Sequence, residues 1–146
     1  MPHTALFAGS FDPYTIGHHS LVERALQMFD KIVIAIGCNS EKGCCATVEE
    51  RVATIAAYYK DNERVEVCAY SGLTMDFAHE VGADVLLRGV RNIKDFEYER
   101  ELADVNKQLG GIDTVLLVSE PGYSSVSSSV VRELMRYGKD VSKLLP

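Results

Sequence analysis

The chain has 146 residues, 47% hydrophobic and 25% charged, with a formal net charge of −6 at pH 7. The length fits a single domain, 1–146, with enough chain to bury a proper core. The acidic balance argues against a nucleic-acid partner, no apolar run approaches a membrane span, and the start lacks a signal-peptide pattern, which leaves the cytoplasm as the expected location.

Apolar and amphipathic runs alternate along the chain. Thr4 to Ala8 reads as a first strand. His18 to Phe29 reads as a helix, with Leu21, Val22, Ala25, Leu26 and Phe29 on one face. Lys31 to Gly37 holds five consecutive apolar residues and reads as a strand covered on both sides. A polar loop runs from Cys38 to Ala46. Thr47 then stands as an N-cap, with Glu50 completing a capping box for a helix to about Tyr59. Arg64 to Ala69 is a third strand, Thr74 to Val81 a short helix stopped by Gly82, and Val85 to Leu87 a fourth strand. Asp95 to Leu109 is a long helix whose stripe of Tyr98, Leu102, Val105 and Leu109 reads as core-facing, ended by Gly110-Gly111. Thr114 to Val118 is a fifth strand. Ser127 or Ser128 caps a helix to about Tyr137, and Val141 to Leu145 adds a last turn. This alternation predicts an α/β fold: a Rossmann-like, doubly wound, five-stranded parallel sheet with helices on both faces.

The cysteines are Cys38, Cys44, Cys45 and Cys68. They form no CxxC pair and show no zinc spacing, so they read as free thiols, and no protein-held metal site is expected.

Chemistry-bearing residues cluster where predicted strands end. Gly9-Ser10-Phe11-Asp12-Pro13-Tyr14-Thr15-Ile16-Gly17-His18 joins the first strand to the first helix. A glycine-bearing turn running into a helix N-terminus offers backbone N–H groups and a positive dipole end to a phosphate. Ser10 and Phe11 supply such amides, and Asp12-Pro13 shapes the turn. His18 lies at the helix start. His19 points elsewhere and reads as solvated, while His3 and His79 have no partner motif. Arg88-Gly89-Val90-Arg91 follows the fourth strand, and two arginines around a glycine suit phosphate recognition. Asp95-Phe96-Glu97-Tyr98-Glu99 opens the long helix, with Tyr98 read as core. The loop Tyr123-Ser124-Ser125-Val126-Ser127-Ser128-Ser129 enters the last helix, again an anion-binding arrangement, and Arg132 follows it. Each feature also has a plain structural reading: a histidine bonded to backbone, a surface ion pair, a helix-dipole acid, a serine-rich linker.

Thr15-Ile16-Gly17-His18 after the first strand is similar to the (H/T)xGH signature of the nucleotidylyltransferase superfamily. Ser127-Ser128-Ser129-Val130-Val131-Arg132 is similar to its ISSxxxR/K signature. With Thr15 in place of the first His, and with RGxR and DFEYE between them, the chain resembles the bacterial phosphopantetheine adenylyltransferases over nearly its whole length. Thr15 and DFEYE argue against nicotinamide mononucleotide adenylyltransferases and small cytidylyltransferases; a non-catalytic nucleotide- or coenzyme A-binding module is a third reading.

The resemblance implies adenylyl transfer from ATP, with Mg²⁺, to 4′-phosphopantetheine, giving dephospho-coenzyme A and pyrophosphate. The attacking phosphate is already ionised, so alignment and charge neutralisation suffice, without a covalent intermediate. By resemblance His18 is the catalytic donor to the α-phosphate. ATP lies on Ser10, Phe11, His18, Gly89, Val90, Arg91, Glu99 and the Tyr123-to-Ser129 loop. The acceptor lies on Ser10, Lys42, Leu73, Thr74, Arg88 and Asn106. The loop Gly43-Cys44-Cys45-Ala46 departs from the family, where Pro and Phe are common after the lysine, and Thr74 stands where a longer apolar residue is usual. Coenzyme A as a feedback inhibitor and a homohexamer are also implied.

Overall fold

A strand with apolar side chains on both faces must be covered on both. The computed structural model, which describes residues 3–37 and 46–146, places Ile32 to Ile36 fully buried in β2 (Lys31–Gly37). Beside it runs β1 (Thr4–Gly9), with Thr4 opposite Lys31 and Gly9 opposite Ile36. With β3 (Val65–Tyr70), β4 (Val85–Val90) and β5 (Asp113–Val118), these form a parallel sheet of order β3-β2-β1-β4-β5.

The helices are α1 (Ile16–Ala25), α2 (Val48–Tyr58), α3 (Thr74–Glu80), α4 (Ile93–Gly110) and α5 (Ser128–Arg136). One core joins Ala5, Phe7, Ile32, Ile34 and Leu87 of the sheet to Leu21, Val22 and Ala25 of α1 and Ile55 of α2. The opposite face packs Leu6, Ala8, Val33, Ala35 and Leu86 against Met75 and Ala78 of α3 and Ile112. Helices thus cover both faces, as the alternation predicts. The caps follow their sequence signals: Thr47 accepts the Glu50 amide, Ser127 accepts the Val130 amide, and Gly111 closes α4 at φ +67°.

Four local expectations change. First, β4 continues through Arg88 and Gly89 to Val90, paired with Leu116, Leu117 and Val118, so these residues lie inside a strand rather than beyond it. A Cβ at Gly89 would sit 2.6 Å from Leu21 Cδ1, so glycine here lets α1 close onto β4. Second, the stripe of α4 is not core: Tyr98 is 59% exposed, and Leu102, Val105 and Leu109 are exposed too. This long helix sits against β5, an edge strand, and its neighbour β4, and its buried residue is Glu99. Third, His19 is not solvated. Its ring stacks on Tyr59, and its Nδ1 lies 3.0 Å from that hydroxyl. Fourth, α1 ends at Ala25, and Phe29 reaches the core from the following turn. His79 is a structural residue, with Nε2 2.6 Å from the Gly110 carbonyl oxygen.

Candidate active site

The ladder between β1 and β4 holds at Ala5–Val85 and Leu6–Leu86, while the strands run on to Gly9 and Val90. Their carboxyl ends part where the strand order reverses, the place where open parallel sheets bind ligands. A cavity of about 360 Å³ opens there. It is lined by the Gly9–Phe11 turn, the start of α1, the end of β4, the first turns of α4 and the entry to α5. The sequence motifs named above therefore meet in one place.

His18 is held by its own helix. Thr15 caps α1, and its hydroxyl accepts the His18 amide at 3.4 Å. The Thr15 backbone N–H donates in return to His18 Nδ1 at 2.9 Å. A backbone N–H can only donate, so Nδ1 is the bare acceptor and the ring proton is assigned to Nε2. Burial, then the nearby Arg88 and Arg91, lower the pKa to about 4. The imidazole is thus neutral at pH 7, a donor without charge on the cavity wall. The backbone reading and the functional reading of this histidine hold together: one nitrogen caps the helix, and that bond frees the other for a ligand.

Arg88 reaches across the parted strands. Its Nη1 donates to the Ala8 carbonyl at 2.6 Å, and its Nε and Nη2 donate to Glu99 at 2.7 Å each. Burial works against the arginine's charge, but the Glu99 bonds outweigh it and raise the pKa. Arg91 pairs with Asp95 at 2.9 and 3.3 Å. Arg24, from the last turn of α1, also lines the cavity; it donates to the Val118 carbonyl and pairs with Glu120 at 3.3 Å. An acidic chain thus gathers Arg24, Arg88 and Arg91 around one opening.

The turn itself is anchored from beneath. Arg51 of α2, buried, donates to the carbonyls of Ser10 and Thr47. In the trans peptide after Ser10 the N–H points opposite to the C=O, so the Phe11 amide is turned away from Arg51. Phe11 takes φ +48° and folds its ring beneath Gly9. From α5, the Ser128 hydroxyl donates to the Pro13 carbonyl at 2.7 Å, and Arg132 donates to the Asp12 carbonyl at 2.7 Å. In this geometry Ser128 and Arg132 join the turn after β1 to the entry of α5.

Other expected site residues lie elsewhere. Ser124, Ser125 and Ser129 are off the cavity lining, and Ser129 Oγ accepts from Arg132. Leu73 is exposed ahead of α3, Thr74 Oγ1 lies 2.8 Å from the Tyr70 hydroxyl, and the Asn106 carbonyl caps the end of α4. None of these three lines the cavity. Lys42 falls outside the described residues. Conversely, Arg24, Asp95 and Arg51 went unassigned. Arg24 pairs with Glu120, which no motif marks, whereas Asp95 opens the DFEYE motif four residues after Arg91 and had a signal in that spacing. Arg51 had a signal, since it sits on the apolar stripe between Val48 and Ile55.

This fold and cavity define the class of cytidylyltransferase-like nucleotidyltransferases, and a model of the family described as Cytidylyltransferase-like matches residues 6–134. A phosphopantetheine adenylyltransferase of Bacteroides thetaiotaomicron is 51% identical over 142 residues, 97% of this chain and 94% of that protein. One of Porphyromonas gingivalis is 52% identical, over 97% and 93%. Among solved structures, a bifunctional NMN adenylyltransferase/ADP ribose pyrophosphatase of Francisella tularensis, complexed with AMP and a manganese ion, aligns with TM-score 0.72 at 14% identity. That alignment covers 99% of this chain and 44% of the longer one, and it supports the fold alone. The chain belongs to the cytidylyltransferase-like family and, within it, to the phosphopantetheine adenylyltransferases.

Proposed function

We propose that this protein transfers the adenylyl group of ATP to 4′-phosphopantetheine, a step of coenzyme A biosynthesis, releasing pyrophosphate and dephospho-coenzyme A. The observation that carries the reading is His18: Nδ1 bonded to Thr15, Nε2 left to donate, at the mouth of an arginine-lined cavity. A phosphate oxygen of the acceptor attacks the α-phosphorus of ATP in line. The new P–O bond forms as the bond to pyrophosphate breaks, and no proton need be removed from the nucleophile. His18 Nε2–H donates to an α-phosphate oxygen as charge builds. Ser10 and Phe11 offer amides, and Arg91, Gly89, Val90, Glu99 and the loop from Tyr123 hold the nucleotide. Arg88 and Lys42, with Ser10, receive the acceptor phosphate; Leu73, Thr74 and Asn106, which lie off the cavity lining, are assigned to the arm by the family resemblance alone.

Mg²⁺ belongs to this reading as a companion of ATP, where it would offset charge on the departing phosphates. The cavity's carboxylates, Asp95 and Glu99, are both engaged by arginine, so its oxygen donors would come from the nucleotide. We place the reaction in the cytoplasm, where ATP is supplied; among the described residues no helix is long and apolar enough to cross a membrane. The exposed apolar stripe of α4 favours self-association, and a homohexamer is the assembly we expect. Coenzyme A, which shares the product's groups, is expected to compete at the same cavity.

The test is pyrophosphate release from ATP on addition of 4′-phosphopantetheine, with nicotinamide mononucleotide and a cytidylyl acceptor in parallel. His18→Ala should lower kcat by about 10²–10³ with ATP affinity little changed, as expected for a preorganised donor that acts in the transition state, and should also lower the melting temperature, because the Thr15 N–H loses its acceptor. Turnover within a few-fold of wild type would make His18 a purely structural residue.

A further inference from the structure

The capping bond fixes one atom of the His18 ring but leaves the plane of the ring to its neighbours. Phe11 meets the imidazole edge-on, centroids 5.0 Å apart at 89°, and Phe7 is tilted at 6.1 Å. The flat wall is Tyr14, 5.3 Å away and 20° from parallel. Tyr14 is 3% exposed and lies four residues before His18, in the turn rather than the helix.

A phenyl ring would fill this space. The chain instead buries a hydroxyl, which costs free energy unless it is bonded. Tyr14 Oη lies 2.5 Å from Tyr59 Oη, and Tyr59 Oη is also 3.0 Å from His19 Nδ1. Burial pushes both tyrosines well above the ordinary phenol range, and the Tyr59 hydroxyl raises Tyr14 further, so both are neutral. Tyr59 closes α2, and His19 follows His18 on α1. The hydroxyl bond therefore ties the His18 platform to the end of a second helix. The hydroxyl lies on the ring axis, so this bond fixes where the Tyr14 ring points, while Phe11 at 5.5 Å and Tyr58 at 6.1 Å flank its faces and edge and set its turn about that axis.

We infer that Tyr14, clamped by Tyr59, is a positioning residue that sets the plane of the His18 imidazole so that Nε2–H faces the reacting phosphate. Tyr14 touches no substrate. The inference rests on the assignment of His18 as donor, and it goes beyond it by naming what holds that donor.

The experiment is a double-mutant cycle with wild type, Tyr14→Leu, His18→Ala and the double variant, alongside Tyr14→Phe. Small misplacements of a catalytic group cost up to about 10²-fold, and Tyr14→Leu is expected to lower kcat by roughly 10-fold with KM for ATP unchanged. In the His18→Ala background the same change should cost less than about 2-fold, since a residue acting through His18 has nothing left to position. Tyr14→Phe, which keeps the ring but loses its bond to Tyr59, should fall between wild type and Tyr14→Leu, roughly 3-fold below wild type, and turnover equal to wild type overturns the clamp. Equal losses in both backgrounds, or no loss beside active His18, overturn the inference and leave the His18 assignment standing. Unchanged turnover in His18→Ala overturns both. If Tyr14→Leu does not fold, the wild-type protein still decides by NMR. His18 ring protons shifted upfield by the face of Tyr14 support the platform, and ring protons at ordinary positions overturn it.

Discussion

Two arginine–carboxylate pairs line the same cavity and are built differently. Arg88 and Glu99 are 11 residues apart in sequence, on β4 and α4, and their two side-chain bonds are both 2.7 Å. Glu99 is 7% exposed and Arg88 33%. Arg91 and Asp95 are four residues apart at the start of α4, with bonds of 2.9 and 3.3 Å, and Asp95 is 24% exposed. The first pair exists only once α4 has docked on the sheet, and its third bond, to the Ala8 carbonyl, spans the gap between β1 and β4. The second is local, and the Asp95 carboxylate also accepts the Arg91 amide at 3.1 Å. A buried pair that loses a partner leaves a charge without solvent, whereas a surface pair can be exchanged for water or a ligand at little cost. Arg88 is therefore a fixed donor. Arg91 is a cation that can let go of Asp95 and turn to a phosphate.

The largest expected consequence is in stability. Glu99→Ala strips Arg88 of its partner and should lower stability by about 2–3 kcal/mol, less than the ~3–5 of a fully buried pair because a third of Arg88 remains open to water. Asp95→Ala removes a half-buried local pair and a first-turn acid, and should cost about 0.5–1 kcal/mol. Denaturant melts of the two variants measure this directly. Equal losses would mean that the pairs are equivalent and that burial does not separate them.

Next comes ligand choice. Arg88→Ala should weaken phosphopantetheine binding by roughly ten-fold or more while ATP binding changes by about three-fold or less, since a bond to a charged group contributes about 1.5–3 kcal/mol. Arg91→Ala should do the reverse. Calorimetric titration of each variant with each ligand is the measurement. Parallel losses for both ligands would show that the cavity does not divide between the two arginines.

The contrast also shows which features a sequence can carry. The Thr15–His18 capping box and the Arg91–Asp95 pair are spaced three and four residues apart, within reach of a helix turn, and such spacing is written in the chain. The parallel sheet was equally legible, because apolar runs such as Ile32 to Ile36 and the caps at Thr47 and Ser127 are local signals. Arg88–Glu99 and Arg51–Ser10 depend on how a strand and two helices settle against one another, and no periodicity announces that. The stripe of α4 misled for a related reason. Spacing shows that Tyr98, Leu102, Val105 and Leu109 share a face, but not whether that face turns toward the sheet. The extent of β4 was hidden as well, since Arg88 and Gly89 look like loop residues until β5 pairs with them.

The finest test uses His18 as a gauge of the two arginines. Burial is the main cause of its lowered pKa; Arg88 comes next and Arg91 after it. In an NMR titration the wild-type ring should stay neutral down to about pH 4. Arg88→Ala and Arg91→Ala should each move the midpoint upward toward 6.5, Arg88→Ala further, because it removes the larger cationic influence and opens the cavity wall to water. The linked stability effect has a definite sign. Between about pH 4 and 6.5 the unfolded chain binds a proton at this position that the folded chain refuses. Stability is thus lost as pH falls through that window, with a ceiling near ~3 kcal/mol, lowered because the outer edge of the ring opens on the cavity. Replacing His18 with Gln should remove that contribution, so the variant should lose less stability than wild type between pH 7 and pH 4. If instead His18 titrates near 6.5 in the wild-type protein, the imidazole is neither sheltered nor faced by Arg88, and the fixed arginine does not point where this geometry puts it.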